Sequence, residues 1–91
     1  MNEHQPGPGT ITLLTVIGRD SVVYTVYTGD PCQGGYAREV WRREVPFGRA
    51  ERFHAGGSAF VAAAREQQAV ADSLARGEAG ASLHRYGWTH D

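Results

Sequence analysis

The chain has no lysine, a single cysteine (Cys32), and no apolar run near the ~18 residues that a membrane-spanning helix needs. One cysteine excludes an intrachain disulfide and a multi-thiolate zinc site, so a disulfide-stapled secreted scaffold is ruled out. All nine basic residues are arginines and they face ten acidic ones, for a net charge of -1. That balance argues against a general nucleic-acid binder, whose phosphate contacts need a basic excess, although it leaves room for a local arginine patch. The missing lysine reflects coding composition more than chemistry, yet arginine's rigid fork of donors is also the better basic group at interfaces. Residues 1–9 are polar and rich in Pro and Gly, with no basic stretch leading into an apolar one. They read as a flexible N-terminus, and a cytoplasmic protein without membrane association is expected.

What remains is enough for one core. Ninety-one residues divided between two cores would leave each near the lower limit for autonomous folding, so a single domain over 10–77 is expected. From Thr10 to Ile17 the β-branched residues favour an extended chain, with Ile11, Leu13 and Ile17 on one face and Leu14 and Val16 on the other. Gly18, Arg19 and Asp20 make a short turn. A second strand over Ser21–Thr28 alternates Val22, Tyr24 and Val26 with Val23 and Tyr27. Asp30, Pro31, Gly34 and Gly35 interrupt the chain, and a third strand follows from Tyr36 to Val45. Short loops between consecutive strands predict an antiparallel meander.

Residues 46–57 show no sustained period. Ser58 reads as a helix N-cap, and the helix is expected from Ala59 to about Arg76, closed by Gly77. Its apolar stripe is Phe60, Ala63, Ala64, Gln67, Val70, Ala71 and Leu74, narrow and largely alanine. The predicted fold is therefore α+β: a three-stranded antiparallel β-meander packed against one C-terminal α-helix, in the order β-β-β-α. Residues 78–91 form a tail, expected to dock back on the sheet through Leu83, Tyr86 and Trp88.

The strands put large side chains on both faces, and one alanine-rich helix covers only one of them. The second face needs a cover: the tail, a second copy, or a foreign partner. Tyr27 and Trp41, where register sets them on one face flanked by Arg43, combine aromatic and arginine groups as interface hot spots do, the alternative being that Trp41 is simply core. Tyr36, Arg38 and Arg42 make a partly basic stripe that extends this expected partner-binding set. The alternative is a nucleic-acid module using Arg38, Arg42, Arg43, Arg49 and Arg52.

Chemistry finds little footing. Cys32 has no adjacent His or Lys to lower its pKa, and reads as a structural thiol. His4, His54, His84 and His90 contain no compact pair with metal-ligand spacing, and a site assembled in three dimensions from Cys32, His54, His84 and His90 is conceivable but not expected. Gly56, Gly57 and Ser58 lack the Lys of a phosphate loop, and Ser58 with His54 lacks a third group to orient the histidine. No catalytic residue, metal, cofactor or small-molecule substrate is expected. In size and composition the chain resembles small bacterial or phage-borne accessory proteins, including stoichiometric inhibitors that block a larger complex by surface contact. The expectation is a non-catalytic interaction protein, a homodimer or a heteromeric subunit.

Overall fold

The computed structural model describes residues 9–33, 36–48, 55–78 and 80–89. The strands are β1 (Thr10–Ile17), β2 (Ser21–Gly29), β3 (Ala37–Pro46) and β4 (Ser82–Thr89). Helix α1 (Ala55–Gly77) lies between the last two, and a 3-10 turn spans Pro31–Gln33.

The expected three-stranded meander is corrected to a mixed four-stranded sheet of order β3-β2-β1-β4, packed against one helix. Strands β1, β2 and β3 are antiparallel neighbours as expected, but β4 pairs with β1 in parallel along its whole length, from Thr10↔Ser82 to Ile17↔Thr89. The reason lies in β1, whose sequence TITLLTVI is apolar on both faces. Such a strand belongs in the middle of a sheet with a hydrogen-bonded neighbour on each side. A parallel partner requires a long crossover, and α1 supplies it by carrying the chain across one face from edge strand β3 to edge strand β4. The residues read as a tail thus add an edge strand.

The helix opens at Ala55, so Gly56, Gly57 and Ser58 lie within its first turns and Ser58 is not the N-cap. The side facing the sheet is the row Ala63, Gln67 and Ala71, all at 1% exposure or less, while Ala64 of the expected stripe faces outward. Two small residues one helical turn either side of Gln67 let the helix approach closely. Below them the core falls into two clusters. Ile11, Leu13, Val26 and Ala71 form one, and Val22, Tyr24, Val45 and Ala63 the other, with Trp41 packed against both. Each large side chain fully buried in this way contributes roughly 1.5–3 kcal/mol.

Gln67 reaches into the sheet near the centre of that buried row. Its Nε2 donates to the carbonyls of Leu14 (3.1 Å) and Thr25 (2.9 Å), which face each other in the β1–β2 ladder. Tyr24 fastens the start of the helix by donating its hydroxyl to the Phe60 carbonyl at 3.2 Å, and burial pushes its phenol pKa up. Gly29 closes β2 with φ +92°, and a Cβ there would run into the carbonyl of Tyr36. No helix among the described residues is long and apolar enough to cross a membrane.

Candidate interaction surface

Strand alternation sorts the side chains cleanly. Ile11, Leu13, Val22, Tyr24 and Val26 turn toward α1, so their sequence neighbours turn to the opposite face. Three rows run across that face in register. Thr12 lies between Tyr27 and His84, Leu14 between Thr25 and Tyr86, and Val16 between Val23 and Trp88. On β3 the rows continue as Glu39, Arg42 and Glu44. No second layer covers this face among the described residues.

The lower part of the face is tied down by one buried carboxylate. Asp30, 8% exposed, follows Gly29 and turns back over the sheet. Its Oδ2 accepts from His84 Nδ1 (2.9 Å) and from the Tyr86 hydroxyl (2.8 Å), and its Oδ1 accepts from the Cys32 N–H (2.9 Å). An ionised carboxylate only accepts, so His84 carries its proton on Nδ1. Burial works to raise the Asp30 pKa, but the bonds from His84, Tyr86 and Cys32 and the charge of His84 outweigh it and hold the group below the usual carboxylate range. The rings of His84 and Tyr86 meet edge to face at 6.4 Å. Beneath this cap Thr12 is wholly buried, its hydroxyl donating to the Gly29 carbonyl at 2.7 Å.

The upper part is apolar and open. Leu14, Val16 and Val23 are half-buried there and Trp88 is 57% exposed at the edge, while Tyr27, also half-buried, stands in the lower row beside Thr12. This face presents aromatic and aliphatic area with a charged rim, Arg42 pairing with Glu39 at 3.8 Å and Ser21 donating to Glu44 at 2.6 Å.

The expected partner-binding residues are divided between the two faces. Tyr27 and Trp41 are not side by side: Trp41 stands opposite Val26 on the helix side, while Tyr27 stands opposite Glu39 on the open face. The register puts Trp41 one residue out of phase with Tyr27, and a one-residue phase change sends a side chain through the sheet. A bulge between Val26 and Tyr27, with Val40 as the extra residue, then moves Arg38 opposite Thr28 on the helix side and brings Glu39 beside Arg42. The expected stripe of Tyr36, Arg38 and Arg42 is therefore broken, with Tyr36 standing apart at 98% exposure. Arg43 also lies on the helix side, paired with Glu66 at 2.9 Å. Arg49, Arg52, His4, His54 and His90 lie outside the described residues. Among those described, no group of three His, Cys, Asp or Glu is placed to hold a metal.

Sequence reasoning passed over Asp30 and His84 as members of this surface. The available signal was the spacing His84, Tyr86, Trp88 at intervals of two, which marks one face of a strand. Comparison with known proteins gives no match: no family model, curated protein or solved structure matches the chain.

Proposed function

We propose that the protein is a non-catalytic binding module that docks a protein partner on the sheet face opposite α1. The observation that carries this reading is the upper half of that face, which no described element covers and where Leu14, Val16 and Val23 lead to the exposed Trp88, with Tyr27 in the row below. Interfaces concentrate their energy in such aromatic anchors surrounded by a polar rim, here Glu39, Arg42 and Glu44. Acting by occupying a partner's surface, as an accessory subunit or stoichiometric inhibitor in the cytoplasm, is the activity that suits a chain of this size. The arginine-patch alternative has less support, because Arg42 and Arg43 sit on opposite faces and each is paired with a glutamate.

Capture from lysate of the source cell, using immobilised chain, provides the test. Wild type is expected to retain a partner that is lost with Trp88→Asp and kept with Arg65→Glu on the outer side of α1. Purified partner should then bind wild type at least about tenfold more tightly than Trp88→Asp, the loss typical of one hot-spot residue. Equal binding by the Trp88→Asp chain, with its fold intact by circular dichroism, contradicts the reading.

A further inference from the structure

The outer edge of β4 differs from the other edge of the sheet. On β3, five charged residues, a bulge and Pro46 interrupt the edge, all features that discourage another strand from pairing. On β4 the sequence is SLHRYGWT, with Arg85 as the single permanently charged side chain, and no described strand pairs with its outer side. The backbone direction there is set by its inner partner. Ser82 N–H donates to the Gly9 carbonyl at 3.0 Å, so Ser82, His84, Tyr86 and Trp88 turn their peptide groups toward β1. By alternation, Leu83, Arg85, Gly87 and Thr89 turn theirs outward.

We infer that β4 pairs antiparallel with β4 of a second copy about a two-fold axis through Tyr86, joining the two sheets edge to edge into one continuous sheet. This goes beyond the face-binding reading and does not depend on it. A two-fold axis through a residue places residues equally far from it opposite each other. Centred on Tyr86, it sets Leu83 against Thr89 and Arg85 against Gly87 of the second copy. These are the outward-turned residues, so both strands present matched donors and acceptors. On the open face, His84 meets Trp88 of the second copy and the two Tyr86 rings adjoin, which are favourable cross-strand pairs.

Charge selects this register over its neighbour. Centring the axis on Arg85 sets two arginines directly opposite, whereas centring it on Tyr86 sets each arginine against a glycine with no side chain to clash. The axis stands normal to the sheet, so both helices lie on one side and both open faces on the other, as a single surface twice as wide.

The experiment is sedimentation equilibrium with light-scattering chromatography on the full chain. Wild type is expected to show a concentration-dependent dimer. Gly87→Pro removes an outward N–H without touching the β1 ladder, and a Cβ at Gly87 meets nothing nearer than the Thr15 carbonyl at 4.0 Å. That variant should be monomeric with unchanged circular dichroism. Gly87→Arg should raise the dimer dissociation constant about tenfold by facing Arg85 of the second copy, and Gly87→Glu should hold or lower it. Should Gly87→Pro fail to fold, the Arg and Glu variants decide the matter. A monomeric wild type, a Gly87→Pro dimer as tight as wild type, or equal effects of Arg and Glu at position 87 would each overturn the inference.

Discussion

Gln67 turns a polar amide into the middle of the core at 1% exposure, and the two carbonyls it meets, on Leu14 and Thr25, fix where the helix sits on the sheet. An alanine-rich helix packs on a sheet with little directional preference, and paired hydrogen bonds supply one. Gln67→Ala removes both bonds and leaves a void, and is expected to lower stability by about 1–3 kcal/mol in urea unfolding. A loss below about 0.5 kcal/mol would show that the amide contributes nothing specific. Gly29 is constrained differently: its φ of +92° and the crowding Tyr36 carbonyl make Gly29→Ala costly by more than about 1 kcal/mol, read from the same midpoint. Asp30 sets the pH response. Its folded-state pKa is depressed, so the stabilisation it provides is fully present above the usual carboxylate range and is lost as pH falls through that range to the folded value. The stability gap between wild type and Asp30→Asn should therefore be widest near neutral pH and close on acidification. A gap independent of pH would show that the Asp30 charge is not what holds the loop to β4.

At the level of elements, β1, β2 and β3 are legible because their apolar residues repeat at intervals of two between clear turn signals, and α1 because Phe60, Ala63, Gln67, Ala71 and Leu74 repeat at three to four. Two things were not legible. Strand β4 alternates His84, Tyr86 and Trp88 with Leu83, Arg85, Gly87 and Thr89, but the second set holds one large apolar residue beside small and charged ones, so the alternation is weak. Beside that spacing, the two-sided apolar character of β1 was the sign that another strand must come. The bulge in β3 is a register event that no local pattern encodes, and it separates Arg38 from Arg42 and so unmakes the basic stripe. The dependence of β1 on β4 can be measured directly. A chain ending at Gly80 is expected to lose cooperative unfolding or to aggregate, because β1 would then expose a bare apolar edge. Cooperative unfolding with an unchanged midpoint would show β4 to be dispensable.

For the molecule as a whole, the helix and the sheet enclose one core and leave the opposite face with an aromatic, partly open surface, anchored at one end by Asp30 and ending at Trp88. The two tryptophans lie on different sides of the sheet, Trp41 half-buried against the helix-side core and Trp88 exposed on the open face. Fluorescence of single-tryptophan chains, Trp41→Phe and Trp88→Phe, therefore reports each face separately when the captured partner is added. Partner binding is expected to shift the Trp88 emission to the blue and shield it from acrylamide, while the Trp41 emission stays as it was. A response confined to Trp41, with Trp88 as accessible in the complex as in the free chain, would contradict a docking surface on the sheet face opposite α1.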